Sequence, residues 1–166
     1  MKAMTSNKTQ AQSQSAAREA QRLRSFQRAL PISLLRAREA TMRPFKAHVE
    51  SYGLTLQQWR VIRALADDSP LDSKTLSERC VILAPSLTRI SRTLSQKGLI
   101  ETVKSSDARR HSVALSPAGR ALFAEASKRS EEIYHRLESA FGDEKMNELL
   151  TLLGELRDTA NATDFD

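Results

Sequence analysis

Four side chains in one short run, Ser86, Thr88, Arg89 and Arg92, have the types and spacing of a surface that grips a polyanion. They fall outside the stripe Leu87, Ile90 and Leu94, whose spacing predicts the buried face of a helix. Hydroxyls near a helix N-terminus bond phosphates, helped by the helix dipole. Arginines one turn further on reach base edges or flanking phosphates, and a bidentate pair with guanine adds about 1–3 kcal/mol of discrimination. A solvated surface helix carries similar residues, so the flanking elements decide between the two readings. The helix opens at Ala84-Pro85, where proline presets the first helical φ, and stops before Gly98, a residue suited to the left-handed position past a helix end.

After this helix, Leu99 to Lys104 and His111 to Leu115 have strand composition, and Ser105 to Arg110 read as the hairpin loop between them. Arg109 suits a narrow minor groove, whose concentrated negative potential attracts arginine. Lys104 and Arg110 suit phosphates. Asp107 is ill placed against a polyanion and suits holding the loop, through Asx-type backbone bonds or a pair with an arginine. Before the helix, Thr55 and Gln58 form a capping box, with Leu54 and Trp59 at hydrophobic-staple positions. That first helix runs through Val61, Ile62 and Leu65 to Asp67-Asp68-Ser69-Pro70. Asp72 or Ser73 then caps a short helix reaching Cys80. Two short helices, a tight turn and a strand–loop–strand predict a winged helix-turn-helix DNA-binding domain over 54–116.

Helices must carry this unit. Over Leu30 to Ser51, Leu34, Leu35, Met42, Phe45 and Val49 gather on one face, with Pro44 expected to bend or break the run. Ser116-Pro117 starts a long helix to about Leu137, interrupted near Gly142-Asp143. The last helix, Glu144 to about Ala160, has leucines on more than one face, which predicts a homodimer interface. The fold class is therefore mainly α with a small β wing: a winged helix-turn-helix domain plus a helical dimerisation region, 29–53 and 117–162. Residues 1–28, rich in Ser and Gln, read as a flexible basic arm whose Arg18, Arg22 and Arg24 serve solubility more than phosphate contact.

Charge follows the same division. Residues 1–28 hold six Lys/Arg against one acid, 29–110 fourteen against eight, and 111–166 six against eleven. A basic middle suits a polyanion partner, although an ordinary solvated surface has comparable charges. One cysteine allows no internal disulfide, and it and three dispersed histidines have no zinc spacing. No nucleophile–base pair or phosphate-binding glycine loop is present, so neither an enzyme nor a cofactor is expected. The absence of a long apolar run and of a secretory signal predicts a cytoplasmic protein with no membrane partner.

PSLTRI on the second helix, KGLI entering the hairpin, DARR at its tip and LSPAG opening the next helix resemble the MarR family of regulators, over about Leu30 to Ala160. Within that family, LLRAREATMRPF, LTLQQWRVIRAL and RCVILAPSLTRI are similar to the subgroup governing homoprotocatechuate degradation. The resemblance implies a homodimeric repressor on an inverted-repeat operator in double-stranded DNA, released by a small aromatic acid. It also implies an effector pocket between the dimer helices and the DNA-binding lobe.

Arg38 independently asks for an anion. It falls on the apolar stripe of its helix, and an isolated buried guanidinium is strongly unfavourable. An aromatic carboxylate answers this, with Met42, Phe45 and Trp59 as apolar walls and His48 as a hydroxyl partner. A structural ion pair across the dimer, or a packed stem with a solvated head, answers it equally well. Trp59 reads as core first and wall second, and His48, near a helix end, as a surface residue. Cys80 reads as a small buried apolar residue; a Cys80 redox switch and a non-specific architectural DNA binder are the competing functions.

Overall fold

The computed structural model describes residues 26–104 and 111–164, with Gln27, Lys104 and His111 described in backbone only. The chain divides into two compact units, one ending at Arg43 and the other beginning at Pro44.

In the first unit a 3₁₀ turn, Phe26–Arg28, leads into helix α1, Leu30–Glu50, whose residues from Pro44 onward belong to the second unit. The Arg36 guanidinium sits 5.9 Å from the Phe26 ring centroid, a cation–π contact. Leu30, Leu34 and Leu35 are exposed. Pro44 does not break α1, which is helical without interruption to Glu50. The expected stripe divides: Phe45 and Val49 are buried, whereas Leu34 and Leu35 are not.

The second unit holds the core. Helix α2, Leu56–Asp67, begins at the capping box: Gln58 N–H donates to Thr55 Oγ1 at 3.2 Å, and Thr55 N–H to Gln58 Oε1 at 3.0 Å. Leu54 and Trp59 are both buried beside it, in the staple arrangement. A two-residue strand β1, Leu71–Asp72, precedes helix α3, Ser73–Cys80, and Asp72 Oδ1 caps that helix by accepting from Lys74 and Thr75 N–H at 2.9 Å. Helix α4, Ala84–Gln96, follows, then strands β2, Ile100–Lys104, and β3, His111–Leu115. The antiparallel sheet has the order β1-β3-β2, with Thr102 and Leu71 both opposite Val113. Strand β1 escapes sequence reading because two residues carry no alternation.

Ile62, Leu65, Leu76, Leu94 and Val61 form the centre of one hydrophobic core that reaches Leu99 just before the sheet, Ile100 and Leu115 within it, and Ala126 beyond it. Helix α5, Pro117–Phe141, starts where Ser116 Oγ accepts from Gly119 N–H and donates to Gly98 O. Its first turn lies so close to the backbone just before β2 that a Cβ on Gly119 would stand 2.0 Å from Leu99 O, which accounts for the glycine of LSPAG. It extends one turn beyond the expected end at Leu137. Helix α6, Asp143–Ala162, buries none of its residues; Leu149, Leu150, Leu152 and Leu153 are exposed in the single chain.

Candidate nucleic-acid interface and effector site

Helix α4 is strongly two-faced. Leu87, Ile90 and Leu94 are buried, and Ser86, Thr88, Arg89 and Arg92 are exposed. Arg89 and Arg92 make no ion pair with any described residue. They lie three residues apart on the face opposite the core, so both guanidiniums are free to meet one ligand surface. Thr88 Oγ1 donates to Ala84 O at 3.0 Å, so its proton must leave that carbonyl before it serves a phosphate. Leu83 occupies the N-cap without a side-chain bond, which leaves the first amides of α4 unfilled by any cap.

The base of the wing is fixed by five antiparallel residue pairs between β2 and β3, ending at Lys104 opposite His111. Asp107, Arg109 and Arg110 lie outside the described residues, as does the Lys104 side chain. The hairpin itself, separated from α4 by three residues, begins at Ile100, one residue later than the strand composition placed it.

The expected ligand residues separate between the two units. Arg38 and Met42 belong to the first, and Phe45, His48 and Trp59 to the second. The Arg38 side chain is 51% exposed and pairs with its neighbour Glu39 at 2.5 Å, so the burial that argued for an anion at Arg38 is not found in the single chain. Its stripe position overstated its burial because Leu34, one turn earlier, is exposed as well. His48 corrects the expectation of a surface histidine: it is buried, and its Nε2 lies 2.9 Å from Ala126 O, so Nε2 carries the proton and donates. Trp59 is core, its ring stacked 5.7 Å from that of Phe123.

Helices α1, α2 and α5 gather further groups that sequence reading passed over. Arg63 Nη1 donates to Tyr134 Oη at 2.5 Å, with the guanidinium 5.3 Å from the Tyr134 ring centroid. The Phe45 ring centroid is 4.6 Å from that of Tyr134. Ser130 stands one turn from both Ala126 and Tyr134 on α5. Its hydroxyl is buried and has no hydrogen-bond partner among the described residues. The physical reason is local: a helical serine ordinarily donates to the carbonyl four residues back, and here Ala126 O accepts from His48 instead. An unsatisfied buried hydroxyl costs about 1–3 kcal/mol. The signal for this cluster was the aromatic–basic spacing of Phe45, Arg63 and Tyr134, but three distant segments reveal it only once folded.

Arg63 also lines an open cleft of about 640 Å³ with Arg60, Arg79, Cys80 and Phe123. Arg60 Nη1 donates to Cys80 O at 2.8 Å, and Arg79 pairs with Asp67 and Asp68. Cys80 itself is buried, its thiol 3.7 Å from Arg60 O. Burial raises its pKa above the ordinary 9.0, and Arg60 and Arg79 only partly offset this. A protonated buried thiol reacts slowly, which stands against a redox switch. No described helix is long and apolar enough to cross a membrane.

Three kinds of comparison agree with this geometry. Residues 52–111 match the sequence model of the MarR family. The homoprotocatechuate degradative operon repressor of Escherichia coli is 39% identical over 138 residues, 82% of this chain and 93% of that protein. The crystal structure of NadR in complex with 4-hydroxyphenylacetate is similar with TM-score 0.72 and 38% identity, covering 81% of this chain and 96% of that one. The repressor CouR bound to a 23-mer DNA duplex is similar with TM-score 0.70 and 27% identity, covering 78% and 92%.

Proposed function

This chain belongs to the MarR family, and from that premise we propose that it is a cytoplasmic homodimeric repressor, not an enzyme, released from its operator by a small aromatic carboxylate or phenol. The observation that carries the DNA half is α4, with Ser86, Thr88, Arg89 and Arg92 outward over a buried leucine–isoleucine stripe. In a dimer, two such helices enter successive major grooves about 34 Å apart, so the operator is an inverted repeat. Arg89 and Arg92 read bases or flanking phosphates there, and Ser86 and Thr88 hold phosphate. Lys104 and Arg110 add backbone contacts, Arg109 enters the minor groove, and Asp107 steadies the loop.

For the effector half, the cluster of Phe45, Arg63, Ser130 and Tyr134 is the better-supported anchor. Arg63 supplies a charged donor for a carboxylate, the rings of Phe45 and Tyr134 supply apolar walls, and the Ser130 hydroxyl lacks a partner a ligand oxygen would provide. Trp59 is stacked on Phe123 in the core and is the less direct wall. Arg38, with Met42 near it on α1, is the competing anchor and is tested separately. His48 acts here by positioning α5 through Ala126. The relatives support this class of ligand: one represses homoprotocatechuate degradation and another was crystallised with 4-hydroxyphenylacetate.

The test is anisotropy titration on an operator selected from random duplexes, with and without 4-hydroxyphenylacetate. Sequence-selective binding that weakens at least tenfold with the acid, about 1.4 kcal/mol of coupling, supports the proposal. Equal, salt-sensitive affinity for every duplex would make the protein an architectural binder instead.

A further inference from the structure

The turn between α3 and α4 presents two large apolar side chains to solvent. Val81 is 84% exposed and Leu83 79% exposed, while Ile82 between them is buried. Among the described residues they are the most exposed large hydrophobics of the second unit. Ala84 and Pro85, which follow, are exposed as well. The whole tip from which α4 grows is thus apolar, where a helix start is ordinarily a polar cap.

This presentation is built rather than incidental. Val81 adopts φ 50°, ψ 52°, a left-handed conformation that a β-branched residue rarely takes and that turns of this kind usually give to glycine. Hydrogen bonds hold it there: Val81 N–H to Glu78 O at 3.2 Å, Ile82 N–H to Ser77 O at 3.1 Å, and Ser77 Oγ to Ile82 O at 2.6 Å. Arg60 ties the preceding carbonyl, Cys80 O, from α2. Buried Ile82 pins the turn to the core, so Val81 and Leu83 have no freedom to fold inward. Strained backbone persists where the surroundings over-determine it, and such sites cluster at ligand contacts.

The occupant follows from continuity with the reading face of α4. In a helix-turn-helix, residues at the N-terminal end of the second helix meet base edges. Among those edges in the major groove, the one apolar group is the C5-methyl of thymine. We propose that Leu83 packs against a thymine methyl in each operator half-site, making thymine at that position a determinant of specificity, with Arg89 reading its neighbours. This rests on the repressor reading above and names a base that the arginines alone do not.

The experiment replaces each thymine of the selected operator by deoxyuridine, which removes only the methyl, and measures affinity at fixed salt. At one thymine per half-site, wild type should bind about fourfold more weakly, and roughly fifteenfold with both half-sites changed. Leu83→Ala should bind the thymine and uracil operators equally. Because Leu83 is exposed, that variant keeps the wild-type melting temperature, which checks the fold directly. Operators indifferent to the methyl, or a Leu83→Ala protein that still distinguishes the two bases, would overturn this inference alone. A wild-type protein that enriches no sequence would overturn the repressor reading and this one with it.

Discussion

Arg89 and Arg92 on the one hand, and Arg38 and Arg63 on the other, are chemically alike and differ only in what surrounds them. The first two face outward without a described counter-ion, so they are available to a duplex. Arg89→Ala should cost about 1–3 kcal/mol of operator preference per half-site while leaving weak non-specific binding, read by anisotropy on operator and scrambled duplexes. Arg63 is held by Tyr134 beside Phe45, whereas Arg38 meets Glu39 and solvent. Arg63→Ala should therefore bind operator normally and no longer respond to 4-hydroxyphenylacetate, and Arg38→Ala should keep the response. The reverse pattern would return the anchor to Arg38. Cys80 gives a pH prediction. Its folded pKa is raised, so the unfolded chain ionises first as pH increases. Its neutral form thus supports stability fully below about pH 9, and that support falls away as pH rises through the folded pKa. Melting temperature should drop above pH 9 in wild type more than in Cys80→Ala, and a thiol reagent should react slowly at pH 7.

At the scale of elements, local signals and close approaches govern stability. The Thr55–Gln58 box holds the start of α2, which carries Trp59, Val61, Ile62 and Leu65 into the core. Thr55→Ala should cost about 1 kcal/mol, seen as a lower denaturation midpoint with unchanged slope. Gly119 is constrained differently. It lies inside the helix, and the constraint is the carbonyl of Leu99, just before β2, against which the first turn of α5 packs. Gly119→Ala must push those two elements apart and should cost about 1–3 kcal/mol, with a disturbed wing and weaker operator binding. The orphan hydroxyl of Ser130 belongs to this scale too, because His48 on α1 donates to the Ala126 carbonyl to which that hydroxyl would otherwise donate.

For the whole molecule, the exposed leucines of α6 are the feature a single chain does not explain. Leu149, Leu150, Leu152 and Leu153 lie along one helix with nothing buried, and Leu30, Leu34 and Leu35 are exposed on α1. Isolated apolar side chains at a surface are ordinary, but such a run is what a helical homodimer covers. Leu150→Glu, at 59% exposure in the single chain, should fold but sediment as a monomer, and its operator affinity should fall to that of one half-site. An unchanged dimer would place the interface elsewhere.

Much of this protein was legible in the linear chain because its signals are local. The capping box, the Asp72 cap, the two-faced α4, the glycine after it and the hairpin each depend on residues within one or two turns, and each formed where the spacing put it. Sequence also placed the four outward residues of α4, since one buried stripe determines the opposite face. The tertiary structure decided what depends on distant segments meeting. It exposed Arg38, because a stripe position is buried only where another element covers it. It buried His48 by supplying the Ala126 carbonyl, and it joined Arg63 to Tyr134 across 71 residues. It also turned Val81 and Leu83 outward around a buried Ile82. The hydrogen bonds of the turn hold them there.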